Sequence, residues 1–215
     1  MKYGESFFDI AYLLFAIFSG IEILLKGKNR GKRLMGSAVL ILGCGDAFHL
    51  VPRVLSYFTD ADLTAALGVG KLVTSLTMTV FYMILYRLWH VLYRAGENRK
   101  LTCAVYALTA LRVVLCLMPQ NGWLTNDSSV FWGIARNIPF LVIGGINIVL
   151  YFQKRRKISH FRNVWLLIML SFMFYMPVAV AAGIVPALGM LMLPKTVCYM
   201  ALIWVFRKWC LSVHT

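Results

Sequence analysis

Seven long apolar runs, separated by short polar or basic segments, constrain this chain more than any other feature. Each run is close to the roughly 20 residues that a helix needs to cross a hydrocarbon core about 30 Å thick. Hydrophobic residues make up 60% of the chain and charged residues only 14%, which lies outside the usage of water-soluble domains. The sequence therefore predicts an all-α polytopic membrane protein, a single integral-membrane domain over residues 1–215 with seven transmembrane helices. The predicted spans are 7–25, 34–55, 64–90, 101–118, 130–152, 163–184 and 188–206.

The distribution of basic residues predicts how the bundle is oriented. Alternate connections and the tail are basic, whereas the opposite connections carry Asp60, Asp62 and Asp127 and no Lys or Arg. Because cytoplasmic loops are enriched in Lys and Arg, we expect the N-terminus outside and the C-terminus in the cytoplasm, in the cell membrane. The first run has neither a basic leader nor a small-residue cleavage site after it, and we interpret it as a retained span. The basic segments are KGKNRGKR (26–33), RAGENRK (94–100), QKRRKISHFR (153–162) and Arg207 with Lys208.

The net charge of +14 is explained by this topology and does not predict a nucleic-acid partner. Most of the basic residues lie in the segments just described, where they also attract anionic lipid headgroups. The five cysteines are isolated from one another, without a CxxC pair or a metal-ligand spacing. We therefore expect no metal and no other cofactor.

Five basic residues lie inside predicted spans, each in a different helix. At about 1.5 Å per residue, all five fall in the half of the membrane that we assign to the outside. The acids at similar depth are Glu5, Asp9 and Asp46, so positive charge is in excess. The five basic residues are Arg53, Lys71, Arg112, Arg136 and Lys195.

The segment LGCGDAFHLVPR (42–53) carries three of the ionisable groups. Asp46, His49 and Arg53 follow one another at i, i+3 and i+7, so they share one helical face, which must point away from lipid. Charges inside a membrane cost at least about 2.5 kcal/mol each and usually face a bundle interior, a partner or water.

These charges predict an outward-facing cationic pocket around Asp46 that binds an anionic amphiphile. Arg53, Arg112 and Arg136 can hold a phosphate bidentately, while Lys71 and Lys195 neutralise it as point charges. Asn137 is a further predicted ligand-binding residue. The structural alternative is that Asp46 pairs with Lys71 or Lys195 to hold helices together, and that Arg53 extends to the interface.

The segment AVLILGCGDAFHLVPR (38–53) resembles the glycine-aspartate motif of the lysoplasmalogenase family of multi-pass membrane proteins. The next helix, LGVGKLVTSLTMTVFYMILY (67–86), is similar in its glycine-led and aromatic-ended character. The resemblance covers Val39 to Tyr86. It implies hydrolysis of the vinyl ether bond of lysoplasmalogens, with Asp46 as the acid or base, and we take His49 on the same face as a second catalytic candidate.

The charges and the resemblance are compatible with three functions. The first is a lysophospholipid hydrolase of lysoplasmalogenase type, with membrane lipid and an anionic small molecule or lysophospholipid as partners. The second is a transporter of a small organic anion, which would use the same cationic pocket with in-span prolines as helix breaks. The third is a seven-helix ligand-binding sensor. A homodimer is left open in each reading.

Overall fold

A computed structural model describes residues 2–125, 129–181 and 185–212 of the chain. Over these ranges the chain forms α-helices and short 3-10 helices, with no strand. Seven helices are long and apolar enough to cross a membrane, so the predicted all-α architecture is confirmed at that level. Asp127, expected in an acidic connection, lies outside the described residues. The seven helices are α1 (Lys2–Lys26), α2 (Arg30–Leu55), α3 (Thr64–Tyr93), α4 (Arg99–Leu117), α5 (Val130–Gln153), α6 (Val164–Ala181) and α7 (Met192–Ser212).

Asparagine side chains in the basic connections cap the N-termini of two helices. The carboxamide oxygen of Asn29 accepts from the backbone N–H of Lys32 at 2.9 Å and caps α2. Asn98 caps α4 in the same way. These caps satisfy N–H groups that have no partner within the helix, so the helix starts are encoded in the short basic segments.

Several helix boundaries differ from those expected: α2 begins at Arg30 and not at 34, α7 ends at Ser212 and not at 206, and the starts of α1 and α7 have a structural explanation. α1 begins at Lys2, before the predicted start, because the polar residues of its first turns face the bundle: Glu5 pairs with Arg53 and Asp9 is 5% exposed. α7 begins at Met192, after a 3-10 helix from Pro186 to Leu191. Pro194 then falls in the first turn of α7, where the missing N–H costs no hydrogen bond.

The helices form a ring in chain order that closes where α7 packs against α1. α3 contacts α2, α4 and α5 and supplies much of the core, including Phe81, Tyr82 and Leu85, each fully buried. The outer surface carries large exposed apolar side chains such as Phe7, Phe18 and Phe131. An apolar exterior around a partly polar interior is the arrangement expected of a bundle in lipid.

The basic connections lie together at one end of the bundle. The basic segments 26–33, 94–100 and 153–162 join α1 to α2, α3 to α4 and α5 to α6, and therefore lie at one end. The start of α1, the α2–α3 connection and the described residues of the α4–α5 and α6–α7 connections lie at the other end. The candidate site lies near this second end.

Candidate functional site

A cavity of about 360 Å³ lies between the helices near the end of the bundle opposite the basic connections. This volume is within the range of small-molecule sites, about 300–1,000 Å³. The cavity is bordered by the C-terminal parts of α2, α4 and α6 and the N-terminal parts of α3, α5 and α7. No Asp or Glu is found among its described lining residues. The polar and aromatic ones are His49, Lys71, Thr74, Ser75, Arg112, Trp123, Ser129, Arg136, Asn137, Phe140, Tyr175 and Lys195.

The structure brings together four of the five in-span cations. Lys71, Arg112, Arg136 and Lys195 all border the cavity although they belong to α3, α4, α5 and α7. The fifth, Arg53, is placed elsewhere. The cavity therefore brings together basic side chains from four helices.

Arg112 is the most deeply buried of these cations, at 1% exposure. Its guanidinium lies over the ring of Phe140, with Cζ 3.4 Å from the ring centroid. Its Nε and Nη1 are buried and donate to no acceptor in the described part of the chain, although the guanidinium also interacts with the Cys116 side chain. A cation–π contact supplies about 0.5–2 kcal/mol, which is less than the several kcal/mol that burying an unpaired ion costs.

Lys195 is half-buried beside two aromatic rings. Its Nζ lies 4.9 Å from the ring centroid of Tyr175 and 5.5 Å from that of Tyr199. It is also close enough to Asp46 and Arg112 to interact electrostatically with both. Lys195 therefore connects the cavity to the charged groups of α2.

Arg136 is held by the segment that follows α4. Its Nη1 donates to Oδ1 of Asn121 at 2.6 Å, and its guanidinium lies 4.4 Å from the ring centroid of Trp123. The side-chain nitrogen of Asn121 donates to the carbonyl oxygens of Leu115 at 2.7 Å and Met118 at 2.9 Å. The same amide thus caps the end of α4 and orients a cavity arginine.

Asn137 contributes an amide to the cavity wall, but both ends of that amide have partners. Its nitrogen donates to the carbonyl of Gly133 at 2.8 Å, and its oxygen accepts from the Tyr175 hydroxyl at 3.0 Å. This places the Tyr175 ring between Asn137 and Lys195. Asn137 is therefore better placed to position Tyr175 than to donate freely to a ligand.

His49 borders the cavity from α2 and is half-buried. Its Nδ1 is buried and has no hydrogen-bond partner within the described residues. Lys71 and Lys195 are near enough to act on it electrostatically. The ring also forms a hydrogen bond with the backbone of Leu67, so His49 is held in the wall of the cavity.

Asp46 does not border the cavity, although it lies three residues before His49. Its Oδ2 accepts from the Tyr12 hydroxyl at 2.6 Å, which turns the carboxylate toward α1. Lys195 is within electrostatic range but forms no direct ion pair with it. The sequence predicts that Asp46 and His49 share one helical face, but Asp46 contacts α1 while His49 borders the cavity.

Arg53 is paired on the α1 side of α2. It forms an ion pair with Glu5, and its Nε donates to the Tyr57 hydroxyl at 3.3 Å. The Tyr57 hydroxyl in turn donates to the other Glu5 oxygen at 3.1 Å. This group satisfies Arg53 without a ligand, so it does not contribute to the cavity.

The sequence did not predict that aromatic side chains would line the cavity. Phe140, Tyr175 and Trp123 each contact one of the cations. Aromatic residues are common throughout this chain, and only their spacing from the cationic positions could have suggested the contacts. Over the described ranges, no group of three or more His, Cys, Asp or Glu side chains is arranged to hold a metal ion.

Comparison with known proteins found no matching family model, no matching curated protein and no matching solved structure.

Proposed function

We propose that this chain is an integral protein of the cell membrane, with its N-terminus outside, its C-terminus in the cytoplasm and its cavity toward the outside. Seven apolar helices of spanning length support insertion. The basic connections all lie at one end of the bundle, and such residues favour the cytoplasmic side. The cavity lies near the opposite end.

The cavity binds an anion. The observation that carries this proposal is Arg112, a fully buried guanidinium with two nitrogens lacking acceptors, beside a cavity whose described lining includes no acid. A bound phosphate or carboxylate would supply the missing acceptors and offset the cost of burying the charge. Lys195, within electrostatic range of Arg112, adds a second positive charge.

The ligand is an amphiphile, such as a lysophospholipid. Val130 and Val180 line the cavity and are 50% and 39% exposed, so an apolar surface continues from the cationic interior to the outside of the bundle. An anionic headgroup would lie by Arg112, with an alkyl chain along this surface. A small hydrophilic anion would leave the apolar border unused.

Binding of lysophosphatidylglycerol to the purified protein in a neutral maltoside detergent tests the proposal. We expect saturable binding that is at least about tenfold tighter than that of zwitterionic lysophosphatidylcholine, a difference of about 1.4 kcal/mol. Arg112→Gln should remove this preference. Arg87→Gln is the matched control, because Arg87 pairs with Glu97 away from the cavity. Equal affinity for the two lipids would contradict the proposal.

Hydrolysis of the bound lipid is a second candidate, favoured by the position of His49 in the wall of the cavity. In this hypothesis His49 donates a proton to the vinyl ether or accepts one from the attacking water. Asp46 acts as acid or base from the adjacent turn, and this role of Asp46 is the one that the lysoplasmalogenase resemblance implies. Transport and ligand sensing use the same cavity without turnover. Uptake of labelled lysophosphatidylglycerol into proteoliposomes, without product release, would favour transport.

A further inference from the structure

The acidic groups between α1 and α2 form a second cluster next to the cationic cavity. Asp46 accepts from Tyr12 at 2.6 Å, and Asp9 lies within electrostatic range of both Asp46 and Arg53. Asp9 is 5% exposed, and its Oδ2 is buried without a hydrogen-bond partner in the described structure. A carboxylate oxygen buried without a donor is costly, so a proton on Asp9 itself would relieve this cost and Asp9 competes with Asp46 for a proton.

Glu5, Asp9 and Tyr12 lie on one face of α1, at i, i+4 and i+7. Glu5 is near the helix end and its side chain is 24% exposed. The three groups therefore lead from the surface at the cavity end of the bundle to the Asp46 carboxylate. Of these groups, Tyr12 is joined to Asp46 by a hydrogen bond, and Asp9 lies within electrostatic range of Asp46.

Lys195 connects this cluster to the cavity. It lines the cavity and interacts electrostatically with Asp46 across the contact between α2 and α7. An anion placed beside Lys195 would add negative charge near Asp46. It would also compete with Asp46 for the positive charge of Lys195. The ionised carboxylate would then be disfavoured relative to its protonated form.

We infer that anion binding in the cavity is coupled to the uptake of one proton by Asp46. The proton passes from a hydronium ion or a protonated buffer molecule to a carboxylate oxygen of Asp46: one O–H or N–H bond of the donor breaks as the carboxyl O–H bond forms, and no oxidation state changes. The inference rests on the proposed anion site. If the protein is a transporter, the anion and the proton move together.

Other titratable groups lie around Asp46, and proton uptake by each of them must be distinguished from uptake by Asp46. Tyr12 and Asp9 on α1 and Lys195 and Tyr199 on α7 interact with Asp46 itself, whereas Glu5 and Arg53 lie beside Asp9, and His49 and Lys71 lie on the cavity side. Of these groups, His49 is the strongest competitor for the proton, because it borders the cavity itself.

Isothermal titration calorimetry in two cationic buffers of different ionisation enthalpy, Tris and imidazole, tests the coupling. Lysophosphatidylglycerol is the probe, since its phosphodiester does not titrate near neutral pH. We expect uptake of about one proton per ligand and an affinity that rises by up to about tenfold for each unit of falling pH. The wild-type titration alone tests the coupling, because binding with no proton uptake overturns it.

Asp46→Asn should bind the probe without proton uptake and without pH dependence. Asp62→Asn is the control: Asp62 lies in the α2–α3 connection, where hydrogen bonds from Thr64 hold its pKa below the usual value, so it stays ionised throughout. Uptake that persists in Asp46→Asn but disappears in His49→Gln or Asp9→Asn overturns the assignment to Asp46. Absence of lysophosphatidylglycerol binding at every pH would instead overturn the anion site itself.

Discussion

The guanidinium of Arg112 lies 3.4 Å from the centroid of the Phe140 ring, with no acid beside it among the described lining residues. Replacing Arg112 by Met should therefore leave the protein at least as stable as before. Apolar replacement of buried charges is often neutral or stabilising by about 1–4 kcal/mol. Thermal unfolding of the purified protein in detergent measures this.

The same Arg112→Met variant should bind lysophosphatidylglycerol at least about tenfold more weakly. Arg87→Met, at an exposed ion pair, should leave binding unchanged. A large fall in melting temperature with intact binding would show that Arg112 is a structural residue and not a ligand-binding one.

Asn121→Ala should destabilise the fold by about 1–3 kcal/mol, because the buried amide would no longer serve the end of α4 or Arg136. Gln120→Ala changes the exposed neighbouring amide and should have little effect. Denaturant unfolding followed by circular dichroism compares the two variants. Equal stabilities would argue against the capping role of Asn121.

Gly68→Ala should be poorly tolerated. A Cβ at Gly68 would lie 1.6 Å from the carbonyl oxygen of Trp123, and backbone must move to remove such a clash. We expect a loss of more than about 1 kcal/mol, measured as the yield and melting temperature of folded protein in detergent.

The control for Gly68→Ala is Gly145→Ala in α5, where a Cβ would meet nothing within 4 Å. This change should stabilise the helix by about 0.5–1 kcal/mol. If both variants melt like the wild type, the close approach of α3 to the segment after α4 is not present in solution.

Asp46→Asn should abolish hydrolysis in the lysoplasmalogenase reading while leaving the fold intact, since an amide still accepts from Tyr12. Aldehyde released from a lysoplasmalogen by the purified protein is the measurement. Cys44→Ser, at an exposed position of the same helix, is the control. Full activity in Asp46→Asn would remove Asp46 from catalysis, and no release by the wild type would leave only the binding function.

The helical architecture and the gathering of cations follow from different physical signals in the sequence. Apolar runs of spanning length predict the seven helices directly, and this prediction is confirmed. Polar groups such as Lys195 and Arg112 avoid lipid, so their shared depth predicts that they meet inside the bundle. The structure places both at one cavity.

The pairing of individual charges could not be derived in the same way. Arg53 and His49 lie one turn apart, yet Arg53 faces α1 and pairs with Glu5, while His49 faces the cavity. The rotation of α2 against its neighbours decides this, and spacing along one helix does not specify it. Arg112 and Lys195 also contact aromatic rings, and such residues are equally common on lipid-facing surfaces.

Of the residues of α4, all of which the structure describes, Val105, Arg112 and Cys116 are buried. This helix is thus attached to its neighbours by very few interior side chains, and one of them is the arginine that we assign to the anion. Occupancy of the cavity and attachment of α4 must then be thermodynamically linked. Heat or a protease that begins by detaching α4 would act more slowly on the liganded protein, which makes resistance to either a simple screen for the natural ligand.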